Sequence, residues 1–396
     1  MVEYRPVPDE DEAAFRRVLD YAFRADSGPE VDHDDDPPWL GERRALYDGD
    51  VPVSTAVRLP LELTVRGDDR RVNGVSAVAT LPEHRRRGLV RRLLREMLAE
   101  SREREIPLSV LWPFKHPFYA RLGWGRISDV GRYELEPGDL APVDDHGLAG
   151  GTFRRLDVGD TEALQAVDAR YAERADLAMR RTDEWYEHRF FEGWRTDPFV
   201  YGWERDGELR GYVRYSVEDE GDDEVLQVND FGAPDDGAAV NLLRFLHRHE
   251  GQVDALRIHA PVDDQLFDLV EDPRSVELTV RPGPMGRLVD VAASLEALSA
   301  PDGIEATVTL AVEDRLCDWN DGSFTVEAAG GAYHVERGAG DGPEASLPVG
   351  TLSRLAVGSV TAERAALAGG LEGDDAAVEA LAAAFPPREC YLREFF

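Results

Sequence analysis

The sequence predicts an α+β protein of three domains, and three observations carry that prediction. A strand that breaks into a glycine and then an amphipathic helix occurs twice, as VSAVATLPEHRRRGLVRRLLREM from Val75 and as LQVNDFGAPDDGAAVNLLRFLHR from Leu226. A turn-rich stretch, EPGDLAPVDDHGLAGG (136–151), lies between the two and is expected to be a linker. From GRLVDVAASLEAL onward, short strands (ATVTLAV, GSFTVEAA, AYHVER) alternate with helices (TLSRLAVG, AAVEALAAAF). The expected domains are 1–140, 151–284 and 285–396, and 396 residues of which 42% are hydrophobic can furnish that many cores.

Taken in order, a helix is expected over 11–23, then an acidic loop, VDHDDDPPW, and strand-like ALYDGD and VPVSTAVRLPLELTV. The loop lacks the spacing of a calcium loop and reads as solvated, or with Trp39 as a wall for a cationic substrate. A strand over 75–80 is ended by Pro82. Leu89, Val90, Leu93, Leu94, Met97 and Leu98 then repeat at helical spacing, so Gly88 stands at the helix start and Arg85, Arg86 and Arg87 in the loop before it. Such a place suits an anion. The first N–H groups of a helix lack internal partners, the dipole is positive there, glycine admits close approach, and arginines add charge and forked hydrogen bonds.

That loop is an exception in its own chain. Acidic residues number 79 against 45 basic ones, Lys115 is the only lysine, and the net charge is -34. Such a surface repels itself unless counter-ions screen it, which suits a halophile's cytoplasm and argues against binding nucleic acid. No apolar run approaches the roughly 20 residues that cross a bilayer, and the acidic N-terminus is unlike a signal peptide, so a cytoplasmic protein without a membrane partner is expected. Cys317 and Cys390 are too far apart for a zinc site, and His247 and His249 fall on different helix faces at the surface, so no metal is expected.

Arg85-Arg86-Arg87-Gly88-Leu89-Val90 resembles the coenzyme A pyrophosphate loop of GNAT-superfamily acyltransferases, with Val90 where a small residue is usual. Downstream, LSVLWPFKHPFYARLGWG (108–125) is similar to the strand and short helix that end at the thioester in that superfamily. The two segments, the further domains and the aromatic chain end together resemble the "enhanced intracellular survival" (Eis) family of N-acetyltransferases. The resemblance covers the whole chain. It implies tandem GNAT-like domains, mixed sheets flanked by helices, followed by a sterol-carrier-protein-like α/β domain. In the second repeat Pro234, Asp235 and Asp236 replace the arginines and would repel a pyrophosphate, so only the first domain is expected to bind acetyl-CoA.

The resemblance also implies roles. Backbone groups of Val78, Ala79 and Thr80 would bond the pantetheine arm, and Arg86, Arg87, Gly88, Leu89, Val90 and Arg91 would cradle the pyrophosphate. Phe114 and Lys115 would flank the thioester, although relatives carry a serine near Phe114. Tyr119 is the expected general acid. The base is either the carboxylate of Phe396, with Phe395 and Phe396 buried as its anchor, or Glu83. The expected reaction is direct acetyl transfer from acetyl-CoA to a small-molecule or peptide amine, by a homo-oligomer that relatives suggest is a hexamer. The alternative is a non-catalytic acyl-CoA-binding sensor or scaffold. A lipid carrier would leave the arginine loop unexplained.

Overall fold

In the computed structural model, which describes residues 2–28, 33, 38–193, 196–263, 265–338 and 342–396, the chain forms two compact units. One comprises Met1–Ile127, Pro284–Cys390 and Phe395–Phe396, the other Ser128–Gly283 and Tyr391–Glu394. Most of the VDHDDDPPW loop lies outside the described residues.

The first unit opens with β1 (Glu3–Pro6) and α1 (Glu12–Phe23), then β2 (Glu42–Asp48), β3 (Val51–Val65) and β4 (Asp68–Thr80). These four strands pair antiparallel in sequence order. The helix α2 (Leu89–Glu103) crosses over to β5 (Leu108–Leu111), which pairs parallel with β4. A short helix, α3 (His116–Ala120), leads to β6 (Gly125–Arg126). Leu89, Leu93, Leu94, Met97 and Leu98 of α2 are buried in one cluster with Val75, Leu111 and Trp124, while its arginines at 91, 92 and 95 face solvent. Each such leucine contributes about 2 kcal/mol of burial, which is what holds the arginine-bearing helix to the sheet.

The second unit repeats this plan. It holds β7 (Asp129–Leu135), β8 (Thr152–Arg155), β9 (Phe199–Arg205), β10 (Glu208–Glu220), β11 (Asp223–Gly232), β12 (Ala255–Ala260) and β13 (Glu277–Pro282) in the order β13-β7-β12-β11-β10-β9-β8. β11 and β12 are the parallel pair, joined through the helix Asp236–His247.

Three expectations about boundaries are corrected here. The first domain does not run to 140, because β7 pairs with β12 and β13 in the second sheet. The last domain does not begin at 285, because β14 (Met285–Leu288) lies between β5 and β6 in the first sheet. The second sheet thus takes a strand from the segment that follows the first repeat, and the first sheet one from the segment that follows the second, a pairing that local pattern cannot announce. Nor is 136–151 a free linker. Pro137–Asp145 forms a 3-10 helix with a capping box from Glu136 and Asp139, and its Leu140 and Val143 are buried in the core of the second unit.

The remaining sheet has the order β17-β16-β15-β18-β19, from β15 (Ala306–Glu313), β16 (Gly322–Ala329), β17 (Ala332–Arg337), β18 (Ala345–Pro348) and β19 (Glu372–Gly373). It is fastened to the first sheet by a buried charge. Arg287 of β14 has no exposed surface, donates to the Leu122 carbonyl, pairs with Asp314 and lies over the Trp124 ring at 5.3 Å. Nearby, Arg66 donates to the carbonyls of Leu355 and Ala356, and Arg70 to that of Ala297 at 2.6 Å.

Candidate active site

The site begins with an irregularity in β4. Thr55 pairs with Ala79 and Val57 with Ser76, so β4 carries one more residue than β3 across that interval. Ala77, inside the bulge, has φ 52°, a left-handed conformation that a residue with a Cβ adopts only when its surroundings impose it. Pairing between β4 and β5 runs from Val72 with Leu108 to Val75 with Leu111 and goes no further, so β4 beyond Val75 is unpaired on that side. Of the expected pantetheine contacts, Val78 is half-buried, while Ala79 and Thr80 are buried. The Ala79 carbonyl already accepts from Ser54 Oγ at 3.1 Å and the Thr80 carbonyl from Arg85 Nε at 3.0 Å.

After the 3-10 turn Pro82–His84, Arg86 takes φ 60° and Gly88 φ 75° as the N-cap of α2. Gly88 offers no side-chain cap, and a Cβ added there would meet no atom within 4 Å. No side chain caps this helix start, and the first N–H groups of a helix lack internal partners, which suits an incoming phosphate. Arg86 is exposed and makes no side-chain hydrogen bond or ion pair with a described residue. Arg87 lies 2.9 Å from His84 and 3.7 Å from Asp48. Arg91 is exposed and donates to the Arg315 carbonyl, and Val90 is half-buried beside the core. Arg85 is drawn back onto the Thr80 carbonyl and the Tyr21 ring, 5.4 Å away. Glu83, the other candidate base, is an exposed residue of the preceding turn.

The counterpart in the second unit is closed. Asp235 caps the helix Asp236–His247 by accepting from the Ala238 N–H at 2.8 Å, so the protein's own carboxylate fills the anion position.

Tyr119 lies on α3, 3% exposed. Its ring meets Phe114, Phe118 and Trp124 edge-on, at centroid distances of 5.5, 5.1 and 6.3 Å. Burial pushes the phenol well above its ordinary pKa, and its hydroxyl makes no hydrogen bond with a described residue. It keeps its proton at neutral pH and has it free to give. Phe114 is 70% exposed, and Lys115, also exposed, is the N-cap of α3.

The chain end differs from expectation. Phe395 is 76% exposed and Phe396 half-buried, so the last two rings are not a buried anchor. Phe395 leans on Trp112, the residue after β5, at 5.3 Å. What is buried instead is the stretch before them: Tyr391 and Leu392, with Glu394, are 6%, 0% and 5% exposed. The bulge at Ala77 and the contact of Phe395 with Trp112 are features of the first unit that the sequence motifs miss. His247 and His249 are not plain surface residues either. His247 lies 3.0 Å from Asp144, and His249 packs edge-on against Tyr215 and Phe245.

Residues 3–127 and 177–288 each match the model of an acetyltransferase (GNAT) domain, and 291–393 that of a sterol carrier protein domain. An uncharacterized N-acetyltransferase of Streptomyces avermitilis is 29% identical over 413 residues, covering 93% of this chain and 92% of its own. Another from the same organism is 29% identical over 337 residues, 80% and 79% of the two chains. An Eis protein of Mycobacterium abscessus superposes with a TM-score of 0.80 at 25% identity, over the full length of both chains. A GCN5-related N-acetyltransferase of Anabaena variabilis shares the fold with a TM-score of 0.84 at 20% identity, again over both full lengths.

Proposed function

We propose that this chain, which matches GNAT acetyltransferase domains in two segments and is similar over its full length to an Eis protein, moves the acetyl group of acetyl-CoA directly onto a primary amine in its first domain. The observation that carries this is the contrast between two equivalent helix starts: α2 is open, uncapped and preceded by arginines, while its repeat is capped by Asp235. Gly88 with the N–H groups of Leu89 and Val90 would receive the pyrophosphate, and Arg86, Arg87 and Arg91 would supply counter-charge. Val78, Ala79 and Thr80 would bond the pantetheine arm along the unpaired side of β4. Phe114 and Lys115 would border the thioester.

The neutral amine attacks the thioester carbonyl carbon, a C–N bond forms and the C–S bond breaks. Tyr119 gives its proton to the departing thiolate, and the phenolate is reprotonated before the next turnover. The proton that the amine sheds goes to the carboxylate of Phe396. Supporting this choice, Phe395 rests on Trp112 at the end of β5, whereas Glu83 stands in the exposed turn of the arginine loop.

Replacing Arg86 and Arg87 together by Glu tests the cofactor assignment. Calorimetry is expected to show acetyl-CoA affinity reduced by about a hundredfold or more, since two charge-assisted contacts become repulsive, with the thermal transition unchanged. Undiminished affinity would overturn it. Replacing Asp235 and Asp236 by Arg is expected to leave the affinity as it is.

A further inference from the structure

We propose that Arg287, held by Asp314 of the sterol-carrier-like domain, is the positioning residue for Tyr119, so that this domain backs the acid of the reaction; the proposal rests on the reading of Tyr119 as that acid. The helix that carries Tyr119 is too short to orient it unaided. α3 has five residues, little more than one turn, and a helix of that length is not stable by itself. What holds its end is the turn that follows. The Tyr119 carbonyl accepts from the Leu122 N–H at 2.9 Å and from the Trp124 N–H at 3.2 Å, and the Trp124 ring packs edge-on against that of Tyr119.

Arg287 grips this turn at both places. Fully buried on β14, it donates Nη1 to the Leu122 carbonyl and lays its guanidinium 5.3 Å over the Trp124 ring. Gly123, between the two, has φ 91°, and a Cβ there would come within 1.9 Å of Nη1. The other arm of the fork pairs with Asp314, the residue after β15, which lies in the sterol-carrier-like segment 291–393. Asp314 is itself fixed. Its Oδ1 accepts from the N–H groups of Leu316 at 2.9 Å and Cys317 at 3.1 Å, and its Oδ2 from the Asn320 amide at 3.2 Å. Asn320 also donates to the Val289 carbonyl and accepts from the Val291 N–H. The same domain backs the turn directly, since a Cβ on Gly125 would lie 2.2 Å from the Gly350 carbonyl.

Fastening one sheet to another does not call for a charge. Buried ion pairs are costly to desolvate, and apolar groups of similar volume usually hold a contact as well or better. What the fork adds is direction: donors fixed in one plane serve a backbone carbonyl on one side and a carboxylate on the other, which neither an apolar side chain nor a compact ammonium can do. A general acid depends on direction. It must stand within hydrogen-bond reach of the group it protonates, and a misplacement of about 1 Å lowers turnover severely. With side chains 0% and 1% exposed, Arg287 and Asp314 touch no reactant and act through Tyr119.

A cycle of variants tests this in the full-length enzyme with acetyl-CoA and an amine that it accepts, at a temperature where circular dichroism shows each variant folded: Arg287→Lys, Tyr119→Phe, and both together. Arg287→Lys keeps the charge beside Asp314 and loses the fork. Its kcat is expected to fall at least tenfold with KM for acetyl-CoA within twofold of wild type. In the double variant kcat is expected to equal that of Tyr119→Phe alone, since without the hydroxyl there is no proton to aim. Multiplied losses, or wild-type kcat in Arg287→Lys with only a lowered thermal transition, would overturn the proposal. Should Arg287→Lys not fold, Asp314→Asn takes its place in the same cycle, because the amide fills the same volume and keeps an oxygen for the Leu316 and Cys317 N–H groups. Failure of both to fold would assign the pair to stability and overturn the proposal as well. Wild-type turnover in Tyr119→Phe would instead refute the acid itself, an outcome separable from failure of the positioning, in which Tyr119→Phe is slow and Arg287→Lys is not.

Discussion

Tyr119 condenses the residue scale. Its ring is held by three aromatic neighbours, its proton is retained by burial, and no described side chain competes for its hydroxyl. Replacing it by Phe removes one oxygen from a site that is otherwise packing. Turnover is expected to fall by about a hundredfold or more, the contribution of a positioned acid, while calorimetric affinity for acetyl-CoA changes less than threefold; wild-type turnover would reduce Tyr119 to a core residue. The placement of these residues was legible in the sequence because it is local: Arg86 and Arg87 directly precede Gly88 at the start of α2, and Tyr119 falls on the short helix α3. Ala77 was not legible. Nothing in SAVAT marks an alanine for φ 52°, since the count of residues opposite it on β3 decides the bulge.

At the scale of elements, α2 must be rigid for its N-terminus to serve as an anion site. A cluster at its other end anchors it. Glu100 accepts from the Tyr4 hydroxyl of β1 at 2.6 Å and from Arg44 of β2 at 2.9 and 2.6 Å, and it pairs with Arg104. Burial alone would raise the Glu100 carboxyl, but the Arg44 and Tyr4 bonds hold it down at about 2. Its pKa is depressed on folding, so its contribution is complete above the unfolded value near 4.3 and is lost as pH falls toward 2. Replacing Glu100 by Gln is expected to cost about 2 kcal/mol at neutral pH and to flatten the acid limb between pH 4.5 and 2 in denaturant titrations; an unchanged limb would contradict this role. Element positions were legible where the period was strong, as in α2. The exchange of β7 and β14 between sheets was not, because both are short runs whose partners lie about 120 or more residues away.

At the scale of the whole molecule, duplication explains most of the design. Two repeats share one topology, yet charge divides them: arginines precede an uncapped helix in one, and Asp235 closes the helix in the other. The duplication was legible in the two aligned segments. The buried ion pairs of Arg181 and Arg393 with Asp168 and Asp230 were not, since these four residues have no common period and meet only in a fold that gathers residues up to 225 positions apart. With a net charge of -34 the surface repels itself unless counter-ions screen it, so an assay of this chain is set up in concentrated salt. The most direct test of the account is therefore thiol release from acetyl-CoA in molar potassium chloride across a panel of primary amines, with the acetylated product weighed by mass spectrometry. The account predicts amine-dependent thiol release matched one for one by N-acetylated amine, lost in the Arg86→Glu, Arg87→Glu double variant and kept when Asp235 and Asp236 are replaced by Arg. Tight binding of acetyl-CoA with no thiol released for any amine would contradict it and leave a protein that binds acyl-CoA without transferring its acyl group.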